Sequence, residues 1–168
     1  MSNKAILGTV KFGIQGYGFS SLKSQAKSGN LLDLARKYGV DTLDTSPRYG
    51  NSEDVIGEYH AKNSHIFKVC TKVDNLEVAS LSSEKRMFDS VVNSIRATCV
   101  NHIETLYLHQ NEMEIISDEN IITSLEKLKS SGLVKKIGVS IYSAEECKFA
   151  LENNVYDVIQ LPISILDS

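Results

Sequence analysis

The feature that most narrows the fold is an alternation of short apolar runs with stretches of helical period, repeated along the whole chain. The runs are Ile6 to Phe12, Val40 to Thr45, Phe67 to Val73, Thr105 to His109, Lys136 to Ser140 and Val155 to Leu161, and each reads as a strand. Between them, Leu31, Leu34, Ala35 and Tyr38 recur at helical spacing before Gly39, and Val55, Ile56 and Tyr59 share a face. Phe88, Val91, Val92 and Ile95 mark the buried side of a helix from about Ser83 to Cys99; Ile121, Ile122, Leu125 and Leu128 mark that of a helix closed by Gly132. Ser143 with Glu146 forms the reciprocal capping pair that opens another. Strands that alternate with helices through short connections run parallel and are covered by those helices. No Pro- or Ser-rich linker interrupts residues 1–168, which predicts one domain.

Parallel strands leave an open doubly wound sheet or a closed (β/α)₈ barrel. Side chains alternate faces along a strand, so Thr42 and Asp44 point one way, as do Lys68, Cys70 and Lys72 on the next strand. Thr105, Tyr107 and His109 form the same series on the fourth, Lys136, Gly138 and Ser140 on the fifth, and Val158 and Gln160 on the sixth. Each series carries a polar residue just before a loop. A barrel gathers the carboxyl ends of many strands around one mouth, whereas an open sheet focuses a ligand at one switch point, so the pattern predicts the barrel. Gly13 to Gly18 reads G-x-x-G-x-G, not the G-x-G-x-x-G of a dinucleotide-binding first turn.

Composition removes several partner classes. Eighteen basic and 21 acidic residues are interspersed, for a net charge of −3, and give no basic stripe for nucleic acid or anionic lipid. No segment has the length and apolarity of a membrane span, and the first residues lack a signal-peptide pattern, which favours the cytoplasm. Cys70, Cys99 and Cys147 are odd in number and widely spaced; they suit neither a disulfide framework nor a metal site, and read as small buried thiols.

At the mouth of such a barrel Lys72 lies on the strand beside Asp44, with Tyr49 on the loop that follows Asp44. A desolvated ammonium needs a carboxylate to stay charged, and the charged Lys favours phenolate over phenol. A free Tyr titrates near about 10, and each unit of downward shift corresponds to roughly 1.4 kcal/mol. A Tyr so tuned donates to a carbonyl oxygen that becomes an alkoxide, and His109 on the next strand orients the same oxygen. Together the four deliver a proton, and none supplies a hydride. Singly they have plainer readings: Asp44 with Lys72 as a buried ion pair, Tyr49 as a rim aromatic, His109 as a polar strand end.

Leu7-Gly8-Thr9-Val10-Lys11-Phe12-Gly13, Leu43-Asp44-Thr45-Ser46-Pro47-Arg48-Tyr49-Gly50, Thr71-Lys72, Leu108-His109, Ile137-Gly138-Val139-Ser140 and Ile159-Gln160 resemble, in type and order, successive strand motifs of the aldo-keto reductase superfamily. The resemblance implies NAD(P)H-dependent reduction of an aldehyde or ketone, with NADP (or NAD) as coenzyme. Tyr49 becomes the general acid, Lys72 and Asp44 tune it, and His109 positions the carbonyl. By the same resemblance Gly8, Thr9 and Asp44 lie near the nicotinamide ribose, and Ser140 and Gln160 hold its carboxamide. Gly8 has a plainer reading, since a strand Gly also relieves crowding.

Ile141 stands where many family members have an Asn on the carboxamide, leaving that contact to Ser140 and Gln160. A full eight-unit barrel takes about 250 residues, so a chain of 168 is expected to hold an incomplete barrel, about six of eight βα units. The family's remaining contacts to the coenzyme come from strands beyond the sixth. Open edges on the first and sixth strands then predict self-association or a complementing fragment. Two other readings compete: a partner-binding, inactive reductase-like fragment, and a Schiff-base lyase with Lys72 as nucleophile, against which Asp44 argues by keeping Lys72 cationic.

Overall fold

Each apolar run overlaps a strand, the fourth and fifth strands beginning two residues before their runs, and the strands lie side by side in chain order. In the computed structural model, which describes residues 5–14, 16 and 25–163, β1 (Ile6–Gly8), β2 (Thr42–Asp44), β3 (Lys68–Val73), β4 (Ile103–Leu108), β5 (Val134–Ser140) and β6 (Val158–Gln160) form one sheet with every neighbouring pair parallel. The order never reverses, so there is no doubly wound switch point. These are six consecutive positions of a (β/α)₈ barrel, with helices returning the chain from each strand to the next.

The register confirms the faces read from the alternation. Asp44 is paired with Cys70, Cys70 with Thr105, Lys72 with Tyr107, Tyr107 with Gly138, and Ser140 with Gln160. One face of the sheet therefore collects all the polar strand-end series. The other presents Leu43, Val69, Val73, Leu106, Leu108, Ile137 and Val139 to the helices, where they are buried. Against them pack Leu32 of α2 (Gln25–Lys37), Ile56 of α3 (Ser52–Lys62), Met87 and Val91 of α4 (Leu81–Thr98), and Ile121, Leu125 and Leu128 of α6 (Glu119–Ser130). The expected capping box opens α7 (Ala144–Glu152), with both Ser143 and Glu146 bonds formed.

Several details differ from the sequence reading. The first strand stops at Gly8: after a last ladder bond, from Thr9 N–H to Asp44 O, Thr9 leaves the extended conformation at ψ 9° and the chain turns through a short helix, α1 (Val10–Gly13). On α2, among the described side chains, Leu32 and Ser28 are buried and Leu31 and Ala35 pack against the core, whereas Leu34 and Tyr38 are exposed. The fully buried stripe of α4 runs through Met87 and Val91, with Phe88 and Ile95 only partly covered. A short helix, α5 (Met113–Ile116), was not foreseen. Of the cysteines only Cys70 is buried; Cys99 is exposed as the left-handed residue that ends α4. Gln15, Tyr17 and Gly18 of the Gly13–Gly18 stretch lie outside the described residues.

Among the described residues, β1 pairs only with β2 and β6 only with β5. Exposed apolar side chains occur towards both ends of the sheet: Ile6, Leu34 and Tyr38 at one, Tyr142, Leu151, Leu161 and Ile163 at the other.

Candidate active site

Lys72 is 4% exposed, and all three of its ammonium protons are placed. They go to Asp44 Oδ1 at 2.8 Å, Asp44 Oδ2 at 2.9 Å and Thr45 O at 3.0 Å. The two side chains thus bridge the β2–β3 pair, and each buried donor has an acceptor. Nζ lies 5.0 Å from the centre of the Tyr49 ring, so its influence on Tyr49 is exerted through space and across the ring face.

Tyr49 is held by its own loop and by α1. Tyr49 N–H donates to Ser46 O at 2.9 Å, and Tyr49 O accepts from Ser52 N–H at 3.1 Å as α3 begins. Gly13 packs so closely on this loop that a Cβ there would fall 1.7 Å from Tyr49 O; the partner glycine, Gly50, has φ +57°, a conformation suited to Gly. A chain of hydroxyls ties the loop down: Thr45 Oγ1 donates to Ser52 Oγ at 3.1 Å, Ser52 to Thr9 Oγ1 at 2.8 Å, and Thr9 to Asp44 O at 3.0 Å.

Thr9, a member of this chain of hydroxyls, has no exposed surface. Enclosed between Asp44 and Ser52, it fixes Asp44 from below, and Gly8 is the exposed end of β1 at the mouth. Nothing among the described residues comes within 4 Å of a Cβ placed on Gly8, so no crowding requires the Gly. Ser140 and Gln160 are register partners, and Ile141 N–H donates to Gln160 O at 2.9 Å, which fixes the backbone beneath both side chains. The Ile141 side chain is buried.

His109 follows β4, and its N–H donates to Val73 O at 2.9 Å. Its Nδ1 lies 3.3 Å from Asp74 Oδ2, a carboxylate that also meets Arg48 Nε. Burial pushes the imidazole below its usual range; Asp74 opposes this, while Lys72 and Arg48 reinforce it. Tyr107, on the same face as Lys72 and His109, is pushed up to about 12 by burial and by the nearby Cys70 and Asp44, so it is poorly suited to proton exchange near neutrality.

The sequence singled out Asp44, Tyr49, Lys72 and His109 and gave no supporting role to Gly13, Arg48, Asp74 or Glu53, which pack or bond around them. Glu53 is buried in α3, where Thr71 Oγ1 donates to it at 2.7 Å and Ser94 Oγ at 3.2 Å; desolvation raises its pKa. An acidic residue among the apolar positions of a helix was the available signal for it. Arg48 and Asp74 gave none, since their meeting depends on loop conformation. Among the described residues no His, Cys, Asp and Glu cluster could hold a metal, and no helix is long and apolar enough to cross a membrane.

An ordered parallel sheet carries a carboxylate, a buried Lys and a His at neighbouring strand ends, with a Tyr on the loop beside them. The sequence model of the Aldo/keto reductase family matches residues 4–167, and the chain belongs to that family. It is 26% identical over 125 residues to the D-arabinose 1-dehydrogenase of Saccharomyces cerevisiae, covering 67% of this chain and 36% of that one. To the NADH-specific methylglyoxal reductase of Escherichia coli it is 23% identical over 152 residues, covering 79% and 47%. The crystal structure of a Pseudomonas aeruginosa protein assigned to the aldo-keto reductases superposes with a TM-score of 0.77 at 27% identity, covering 96% of this chain and 64% of that one. The chain thus spans between a third and two thirds of the length of these relatives.

Proposed function

We propose that the protein reduces an aldehyde or ketone to the alcohol with NADPH or NADH, using Tyr49 as general acid. The observation that carries this reading is the saturated Lys72 ammonium, held by Asp44 and placed 5.0 Å from the Tyr49 ring. A cation fixed there offsets the negative charge left on Tyr49 when its proton passes to the carbonyl oxygen. Tyr49 is half-buried, which lets water restore its proton after each cycle. His109, as the imidazolium, donates to the same oxygen and orients it.

The residues present suit a nicotinamide coenzyme. The open space beside Gly8 admits a flat ring or ribose close to the backbone, and the Ser140 hydroxyl and Gln160 amide offer the donors and acceptors a carboxamide needs. When bound, the dihydronicotinamide supplies the hydride. Thr9 acts indirectly, by holding Asp44. Closure of the site falls to segments that cover the edges at β1 and β6, a second copy or complementing βα units.

The test is coenzyme oxidation with a panel of small aldehydes and ketones, comparing the parent chain with Tyr49→Phe. Loss of the phenolic proton is expected to lower the rate by about 10²–10⁴-fold. Borohydride trapping with the same carbonyls separates the lyase reading: a stable adduct on Lys72 would overturn the proposal. Absence of coenzyme binding by the complemented barrel would favour the partner-binding alternative.

A further inference from the structure

We infer that Asp74 is a positioning residue for His109: it holds the proton of the neutral ring on Nδ1, so that His109 can donate to a substrate oxygen only as the imidazolium. The inference deepens the carbonyl-reductase reading and rests on it.

A carboxylate only accepts, a guanidinium only donates, and a neutral imidazole has one N–H and one bare nitrogen. His109 Nδ1 is buried 3.3 Å from Asp74 Oδ2, outside hydrogen-bond geometry, so the carboxylate acts on it by its charge: a bare Nδ1 lone pair would face that charge, and an N–H is drawn to it. Facing that oxygen, Nδ1 keeps the proton and Nε2 becomes the bare nitrogen. The side chain still has 23% of its surface open, and with Nδ1 buried, the open part is the rest of the ring. A carbonyl oxygen approaching Nε2 of the neutral ring meets a lone pair; approaching the imidazolium, it meets a donor. An alcohol O–H finds the reverse.

Asp74 is itself fixed. Its Oδ1 accepts from Asn75 N–H at 2.7 Å, which turns Oδ2 towards Arg48 and His109. Asn75 is left-handed at φ +56°, and the Arg86 guanidinium donates to its carbonyl. Gln110, next to His109, clasps the following residue from both sides: Leu76 N–H donates to Gln110 Oε1 at 2.6 Å, and Gln110 Nε2 donates to Leu76 O at 3.2 Å. The Asp74 loop and the His109 loop are therefore one assembly. Charged groups around the ring are Asp74 and Asp44, which favour the imidazolium, and Lys72 and Arg48, which oppose it.

The experiment is ¹⁵N NMR of His109 in the full chain, read against pH, beside the pH profile of kcat/KM for carbonyl reduction. In the parent the neutral ring is expected as the Nδ1–H tautomer. Asp74→Asn, whose amide oxygen still accepts, keeps that tautomer and lowers the midpoint; reduction above both midpoints falls about tenfold for each unit of the lowering. Arg48→Gln, at an exposed side chain, moves the midpoint up and guards against a misfolded Asp74 variant. An Nε2–H tautomer in the parent, or a midpoint that neither variant moves, overturns the inference. The expected tautomer and midpoints without any carbonyl reduction overturn the reductase reading and leave the hold of Asp74 on His109 standing.

Discussion

Two tyrosines face the mouth, and their surroundings separate them. Tyr49 lies beside a cation; Tyr107 is buried near Asp44 and a thiol, and is pushed up to about 12. Tyr107→Phe is therefore expected to leave kcat within about threefold of the parent, against about 10²–10⁴-fold loss for Tyr49→Phe, measured by coenzyme oxidation at neutral pH. What alternation made legible at this scale is placement: Asp44, Cys70, Lys72 and Tyr107 fall on one face of the sheet, as the register has them. That Thr9 is fully enclosed was not legible, because exposure cannot be read from a motif. Asp74 and Arg48 were invisible because a charge on a loop reads as solvated until the loop is folded.

Among the elements, two helix glycines give opposite expectations. A Cβ on Gly57 in α3 would sit 1.9 Å from Ala97 O, where α3 and α4 approach backbone to backbone, whereas one on Gly29 in α2 would meet nothing within 4 Å. Gly57→Ala is expected to cost about 1–3 kcal/mol or more through overpacking. Gly29→Ala should gain about 0.5–1 kcal/mol by restricting the unfolded chain and favouring helix. Urea unfolding midpoints of the two variants check both. Periodicity revealed that these helices exist and where Gly39 and Gly132 end them. It did not reveal which glycine marks a helix crossing, since both sit inside regular helical stretches, nor that Gly13 is pressed against the Tyr49 loop.

For the whole molecule, acid is the expected weakness. His60 is buried, its Nε2 accepting from Phe67 N–H at 3.0 Å and its Nδ1–H donating to Thr98 O at 2.7 Å, so the neutral ring joins α3, α4 and the approach to β3. Burial holds its pKa below the ordinary value of 6.5. The unfolded chain therefore takes up the proton first: the stabilisation is complete above about pH 6.5 and is lost as pH falls towards the folded value. Urea midpoints should decline across that window in the parent and decline less in His60→Gln. The open edges at β1 and β6 give a second expectation, that the 168-residue chain alone self-associates, which light scattering during gel filtration would detect as a mass above 18.6 kDa. Lys72 offers a way to watch the barrel mouth itself. With every proton committed to Asp44 and Thr45, its nitrogen meets an amine-directed reagent only when β2 and β3 part at their carboxyl ends, so its acylation, timed against exposed Lys62, becomes a clock for that opening.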